Sequence, residues 1–439
     1  MNDTSVEQMD EDRFVRTTRF KILGKKKQLE SPCGGITIRT DHEAGSYASF
    51  KLSYPSPHLG LITAHLMNAA ETTVAFTNQN LNYFSEPKGA LTQVLNNSII
   101  MVEPCTEYPR YDAEANLKKI ENSQYIPSFH RKHVSEALKL RGTLYETDRE
   151  EYNAQLKDLD YLHWLKIEHS TTLRSSYIED TLEQERITGG DYGLPPGPSI
   201  HDSWSLGISI LTNDLGRRLW SGRHPCATYL IFECSVLESK ALMDEVITYL
   251  RSIAPTNGDS DVVVIKFKAF NVTYAESKAT QRTGAAYFMS KIRELKKEYN
   301  RRLFVLIDAG LQAYPAFFSG FDVVVTSFTG HVADSRFGNS KENIGWGGYF
   351  DPKRMIHVKF SQDLDLAKLC GCLVCEPVKS LRALEKEFWN FMVCRPHYAL
   401  TLNGWASYAK RLVAERNVQE AKDHIGIDIS NLKQLMPDN

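Results

Sequence analysis

Asp261-Val-Val-Val-Ile-Lys-Phe-Lys-Ala-Phe270 decides the fold class. The run is rich in β-branched and aromatic residues, is too short for a buried helix, and is followed by a helical pattern over Gly284 to Tyr299. The same unit recurs along the chain. Thr228-Tyr-Leu-Ile-Phe-Glu-Cys234 precedes a helical pattern from Glu238 to Ile253. Arg302-Leu-Phe-Val-Leu-Ile-Asp308 precedes Ala-Gly and a short helix to Ser319. Phe321-Asp-Val-Val-Val-Thr-Ser327 and Met355-Ile-His-Val-Lys-Phe360 read as further strands. Near-continuous apolar runs belong to strands buried on both faces, and strands alternating with helices pair in parallel. The chain is therefore expected to be α/β, a (β/α)8 barrel or a doubly wound sheet. No G-x-G-x-x-G follows the first strand of a unit, which takes support from a dinucleotide fold and leaves the barrel as the expectation.

In a barrel the chemistry sits where strands end and loops begin. That rule selects Glu233, Lys268 with Asn271, Asp308, and Thr326 with Ser327. Asp308 closes an apolar strand and is followed by Ala-Gly, so backbone and carboxylate can both approach a ligand. Asp322 opens its strand at the opposite mouth and reads as a turn or capping residue. A salt bridge or a helix cap is the competing use of each strand-end carboxylate.

The 439 residues suffice for one large barrel with an appendage or for two to three ordinary domains. The composition, 42% hydrophobic and 24% charged, is that of a soluble globular protein. A net charge of −2 excludes a global field for nucleic acid, so any such contact must come from a local patch. No apolar run approaches the ~20 residues of a membrane span. The acidic start, Met-Asn-Asp-Thr-Ser-Val-Glu-Gln-Met-Asp-Glu-Asp, lacks the apolar core of a signal peptide. Cys33, Cys105, Cys226 and Cys234 show no disulfide framework, and a reducing, cytoplasmic setting follows.

Residues 1–14 read as a disordered acidic leader. Arg19 to Leu23, the Gly24-Lys-Lys-Lys turn, a Ser31-Pro-Cys-Gly-Gly35 turn and Ile36 to Thr40 read as a hairpin. Tyr47 to Tyr54, Thr73 to Phe76 and Ser98 to Val102 are strand candidates, the last running into the loop Glu103-Pro-Cys-Thr-Glu-Tyr-Pro109. A charged helical stretch from 112 to 187, for instance Asp148 to Ile167, reads as a layer inserted into the barrel over about 112–225. Thr188 to Ser203 holds too many glycines and prolines for helix or strand and reads as a lid, a binding loop or a plain connection, with His201 and Asp202 as minor candidates.

Four of the eight cysteines fall between 370 and 394, in Cys370-Gly-Cys-Leu-Val-Cys375 and Cys394, and His397 follows. Three thiols on one tight turn with a histidine close behind form the Cys3His set of a structural zinc site. Buried cysteines acting as small hydrophobes are the alternative. Leu381 to Met392 and Ala399 to Arg416 read as helices. The stripe Leu402, Trp405, Ala409, Leu412 and Val413 would pack the metal-bound segment, residues 361–439, on the barrel of 15–360.

A barrel ending in C-x-C-x-x-C with a histidine at the start of a terminal helix resembles the tRNA-guanine transglycosylase superfamily. Phe20-Lys-Ile-Leu with Leu29-Glu-Ser-Pro-Cys-Gly-Gly35 is similar to that family's opening hairpin, and Ile99-Ile-Met-Val-Glu-Pro-Cys-Thr-Glu-Tyr-Pro109 to its strand and loop I-x-M-x-F-D-E-C-T-x-Y-P. Arg302 to Val325 resembles its last two barrel strands. The resemblance implies exchange of guanine in a polynucleotide for a 7-deazaguanine: an aspartate attacks C1′, the base leaves, and the incoming base displaces the enzyme. It implies that the target nucleotide is extruded into the pocket.

The chain departs from the family's pattern at several places. Val325 stands where the nucleophile is expected, Glu233-Cys-Ser replaces a base-reading Q-G-G, and Lys266-Phe-Lys replaces G-G-L. Glu103 falls on the base-binding aspartate and Cys105 on the pocket cysteine. The expectation is a divergent base-exchange enzyme, DNA favoured slightly over tRNA, with Asp308 as nucleophile and Glu233 or Glu103 reading the base. Cys105, Lys268, Asn271 and Ser327 would bind substrate, and a structural Zn2+ would sit on Cys370, Cys372, Cys375 and His397. His331, Arg336, Lys341, Lys353 and Arg354 lie in or near the family's basic loop and would meet phosphate. The alternatives are a non-catalytic subunit that binds tRNA and supports a catalytic partner, as a homo- or heterodimer, and a different zinc-stabilised barrel enzyme with a small-molecule substrate.

Overall fold

The computed structural model describes residues 3–7, 16–22, 25–38, 59–63, 99–104, 117–118, 121–122, 126–188, 190–253, 261–268, 279–299, 302–307, 309–327, 348–360, 365–385 and 393–437. Three antiparallel strands open the chain: β1 (Asp3–Glu7), β2 (Arg16–Ile22) and β3 (Lys25–Ser31). β1 lies inside the stretch expected to be a disordered leader; its Thr4, Ser5 and Val6 pair with Phe20, Arg19 and Thr18. Ile22 pairs with Lys25, so the β2–β3 hairpin is as expected, but the second turn is not. Cys33, Gly34 and Gly35 belong to β4 (Cys33–Ile38), which runs parallel to its neighbours.

β4 enters an eight-stranded sheet in which every pairing is parallel. The other strands are β5 (Leu59–Thr63), β6 (Ile99–Glu103), β7 (Ser199–Ile200), β8 (Thr228–Glu233), β9 (Val262–Lys268), β10 (Leu303–Ile307) and β11 (Val323–Ser327). Their order is β6-β5-β4-β11-β10-β9-β8-β7. Two further parallel bridges, Met101 with Tyr192 and Gly193 with Cys226, connect β6 through residues 192–193 to the entry of β8. β5 had no counterpart among the expected strands. The candidates over 47–54 and 73–76 lie outside the described residues.

Side chains alternate along the strands between two clusters. Val262, Val264, Leu303, Val305, Ile307, Val323 and Val325 share one face with Met101, Tyr192, Leu194, Tyr229 and Ile231. Val263, Ile265, Phe267, Phe304, Leu306 and Val324 face the helices. Both faces are buried, as the uninterrupted apolar runs required.

Three helices, α1 (Ser128–Leu144), α2 (Arg149–His169) and α3 (Thr171–Thr188), form the inserted layer between β6 and β7. Asp148 caps α2, its carboxylate accepting from the Glu151 N–H at 3.0 Å. The layer is shorter than the expected 112–225, because everything from Tyr192 onward belongs to the sheet and its helices. The Gly- and Pro-rich stretch after α3 is not a lid: Asp191 to Pro198 are buried. Prolines suit this place because each lacks a donor that a ladder would otherwise have to satisfy. Gly193 carries the pairing instead, its N–H donating to the Pro225 carbonyl and its own carbonyl accepting from Ala227.

α4 (Ser203–Trp220) opens with a capping box between Asp202 and Ser205, which assigns Asp202 a structural task. His201 holds the Ser199 carbonyl through Nδ1 at 2.9 Å. α5 (Lys240–Ser252) follows β8, and α6 (Ala279–Glu298) follows β9. Gly284 lets α6 close on the turn Cys234–Glu238, since a Cβ there would lie 1.8 Å from the Leu237 carbonyl oxygen. α7 (Ala313–Phe318) follows β10. At the start of β11, Asp322 does more than cap: its carboxylate accepts from Lys296 Nζ at 2.8 Å and from the Phe304 N–H at 2.9 Å, a buried pair joining α6, β10 and β11.

Beyond the sheet stand the hairpin β12 (Gly348–Asp351) and β13 (Ile356–Lys359), the short α8 (Leu366–Leu369), a turn over Leu381–Glu385, α9 (Arg395–Ala414) and α10 (Val418–His424). Tyr349, Val358, Phe360, Leu366, Cys375, Val378, Leu381 and Leu384 make a separate small core. A boundary at 361 therefore cuts through a unit that begins with β12. α9 belongs to the main core, where Leu402, Trp405, Ala409 and Leu412 are buried and Val413 packs against them. It lies tightly on β4: a Cβ at Gly34 would meet Leu402 Cγ at 2.8 Å. Among the described residues no helix is long and apolar enough to cross a membrane.

Candidate functional site

Cys370, Cys372, Cys375 and His397 converge, with one ligand atom from each lying within 4.8 Å of all the others. His397 Nδ1 is 3.6 Å from Cys370 Sγ, 3.5 Å from Cys372 Sγ and 3.4 Å from Cys375 Sγ. Tetrahedral bonds of about 2.3 Å to sulfur and about 2.0 Å to nitrogen set a sulfur–nitrogen edge of about 3.5 Å. The four side chains thus have the shape and donor set to hold a metal ion such as zinc.

Local structure explains the convergence. The Cys372 carbonyl accepts from the N–H groups of Cys375 (3.0 Å) and Glu376 (3.1 Å), folding the cysteines into one knuckle. The Cys372 N–H points at Cys370 Sγ, 3.3 Å away. α9 starts earlier than the expected Ala399, at Arg395 with Pro396 in its first turn, and this brings His397 to the knuckle. The His397 ring is fixed from behind. Nε2 lies 2.8 Å from the Phe350 carbonyl, a contact that requires a proton on Nε2 and leaves the Nδ1 lone pair for the sulfur side. Tyr349 stacks on the ring at 4.5 Å and sets its hydroxyl 3.3 Å from Cys375 Sγ.

Electrostatics agree with a cation-seeking centre. Burial alone would lower the His397 pKa, but the Cys370 and Cys372 sulfurs outweigh it and raise it to about 9, which favours a proton on Nδ1 that a bound metal ion would displace. Contacts from Cys372, Cys375 and His397 hold the Cys370 thiol well below its ordinary range. Contacts from Cys370 and Cys372, with burial, push the Cys375 thiol the other way, so Cys370 is the sulfur held low. Cys394 sits at the N-cap position of α9 and packs in the same small core, outside the group of four.

The second polar feature is the C-terminal end of the parallel sheet. Along β9, Lys266 and Lys268 continue the face of Val262 and Val264, and each is only 1% exposed. Lys266 Nζ donates to Glu103 Oε1 at 2.6 Å, and the Tyr229 hydroxyl donates to the same oxygen at 2.9 Å. Lys268 Nζ donates to Ser199 Oγ at 2.9 Å. Glu233, at the end of β8, continues the face of Tyr229 and Ile231 and is half-buried. The face is apolar at the strand starts and charged at the strand ends.

The structure sorts the expected residues. Glu103, Glu233 and Lys268 come together at this end of the sheet. Thr326 does not join them: on its strand Val323 and Val325 hold the inner face, and Thr326 is buried on the opposite one. Val325 is 0% exposed within the apolar layer. Ser327 ends β11, and its side chain is not among those described. Cys105, Asn271, Asp308, His331, Arg336 and Lys341 lie outside the described residues. Lys353 and Arg354 are exposed in the turn between β12 and β13. Beside them a cavity of about 340 Å³ is lined by Lys353, Cys372, His397, Thr401, Trp405 and His424.

Sequence reasoning missed Lys266 and Tyr229 as partners of Glu103, and Tyr349 and Phe350 as supports of His397. Lys266 and Lys268, two residues apart in an apolar strand, share one face by the period of the strand, and that was the available signal. Compared with known proteins, the chain matches no family model and no curated protein.

Proposed function

We propose that the chain is a transglycosylase-type enzyme that replaces guanine in a polynucleotide by a 7-deazaguanine, with DNA the favoured polymer and tRNA the alternative. One observation carries the reading: a parallel sheet with a charged C-terminal end stands beside a Cys3His centre whose histidine opens the helix packed on that sheet. We read the sheet as a closed (β/α)8 barrel. The pairings through residues 192–193 link its two ends, and the inner cluster is built from the strands and their immediate extensions, which on an open sheet would lie bare on one side. The active end of such a barrel is where Glu103, Glu233 and Lys268 lie.

In this reading the Asp308 carboxylate attacks C1′, the C1′–N9 bond breaks, and guanine leaves as it takes up a proton. The incoming base then attacks C1′ through N9, loses its N9 proton, and the carboxylate departs. Glu103, clamped by Lys266 and Tyr229, orients the base through its fixed charge. Glu233, half-buried at its strand end, is the group for proton exchange at the base edge. Cys105, Asn271 and Ser327 complete the substrate pocket. His331, Arg336, Lys341 and Arg354 meet the polynucleotide backbone. Zinc bound by four protein ligands has no open position for water, so it would serve as a structural tie between the knuckle and α9.

The test is covalent trapping. Wild-type protein incubated with polynucleotide and quenched in denaturant should give a protein–nucleic acid adduct, and Asp308→Ala should give none. An adduct that survives the substitution moves the nucleophile elsewhere. Burial of Val325 in the apolar layer favours a second reading, a subunit that grips tRNA and supports a catalytic partner. Co-purification with an intact transglycosylase, and no adduct from this chain, would decide for it.

A further inference from the structure

The inserted layer encloses three histidines for which base exchange has no use. His130 and His133 lie on α1 and His163 on α2; they are 1%, 3% and 5% exposed. The His163 ring is sandwiched, stacked on Phe129 at 4.5 Å and on His133 at 4.2 Å, with Trp164 edge-on at 5.1 Å. His130 stands 6.2 Å from both other imidazoles. Trp164, Ile167, Tyr177 and Ile208 wall the site, so α2, α3 and α4 contribute apolar or aromatic surface.

Two ring nitrogens in this enclosure, His133 Nδ1 and His163 Nε2, have no hydrogen-bond partner. Asp160 from α2 places a carboxylate oxygen 2.8 Å from His133 Nε2. Facing His163 among the described residues are His130 and His133 from α1, Lys166 from its own helix and Tyr177 from α3, whose hydroxyl is 3.5 Å from His130 Nδ1. α4 adds Trp204, whose indole N–H donates to Glu168 at 3.0 Å. A proton on His163 would put charge on a ring enclosed by apolar and aromatic surface and stacked 4.2 Å from a second imidazole.

We propose that the α1–α3 layer is a proton-operated element, in which protonation of the enclosed His163 ring releases the packing of the three helices while the parallel sheet stays folded. Burial, reinforced by His133, His130 and Lys166, holds His163 neutral well below its ordinary titration range. In chain order the layer comes after β6, which ends at Glu103, and α3 packs against that strand. Acid release would therefore act beside the charged end of the sheet.

Hydrogen exchange of the full-length protein, corrected for intrinsic rates, tests this at pH 7.0 and pH 5.0. Each ordinary imidazole that takes up a proton only in the open layer should raise its opening constant by about 25-fold over that interval. We expect a rise of at least that size in α1, α2 and α3, with β8 to β11 unchanged. His163→Phe and His163→Gln should each lose most of the rise. A uniform change across layer and sheet, or an undiminished rise in the variants, overturns the proposal. Should the phenylalanine variant lack protection already at pH 7.0, the glutamine variant and the wild-type contrast between layer and sheet decide alone.

Discussion

Replacing His397 by alanine is the sharpest test of how the C-terminal unit is held. The substitution removes the nitrogen ligand, the stack on Tyr349 and the donor to the Phe350 carbonyl together. Losing the hydrogen bond to the Phe350 carbonyl costs about 1 kcal/mol. Emptying the volume of a buried ring costs about 3–5 kcal/mol, before any loss of metal binding. Against a total stability of about 5–15 kcal/mol, the terminal helix should detach or the chain should fail to fold. His397→Cys keeps four soft ligands and loses mainly the Phe350 hydrogen bond, so it should retain metal and lose only about 1 kcal/mol. The assay pairs elemental analysis of purified protein with urea unfolding. Wild type and His397→Cys should carry one zinc per chain, and His397→Ala should carry none. An alanine variant with full zinc content and an unchanged urea midpoint would refute the assignment.

Two other substitutions probe the scaffold. Glu185 is fully buried; burial raises its pKa well above the ordinary 4.5 despite the hydrogen bond from the Leu194 N–H, so the folded state keeps a proton that the unfolded chain releases. That contribution is complete below pH 4.5 and is lost as pH rises, by about 1.4 kcal/mol per unit while the group titrates. Glu185→Gln should flatten urea midpoints between pH 5 and pH 8.5 and be the more stable protein at the alkaline end; parallel curves would contradict the burial argument. Gly284→Ala, which in an open helix gains about 1 kcal/mol, should instead destabilise by about 1–3 kcal/mol, because the new methyl collides with the Leu237 carbonyl. A raised melting temperature would show that α6 does not close on that turn.

What the sequence made legible follows from where the information lies. β8 to β11 announce themselves because strands covered on both faces must be apolar throughout. The metal ligands are legible because the knuckle packs three of them into six residues and the fourth opens a helix. Two parts of the sheet were hidden. β5 is a five-residue run broken by Gly60, and the segment from Tyr192 to Ile200 has the composition of a loop. Its prolines are admissible in the sheet because Gly193 and Ala227 carry the pairing for them. The partners of the site residues were hidden for another reason. Lys266 meets Glu103 across 163 positions of chain, and Phe350 meets His397 across 47; only the folded topology makes them neighbours.

The central claim, base exchange on a polynucleotide, is tested most directly by mass spectrometry of nucleosides from host DNA and tRNA with and without the gene. A 7-deazaguanine nucleoside present in the DNA should disappear on deletion and return with the wild-type gene but not with Asp308→Ala. Nucleosides unchanged in both polymers on deletion would contradict it.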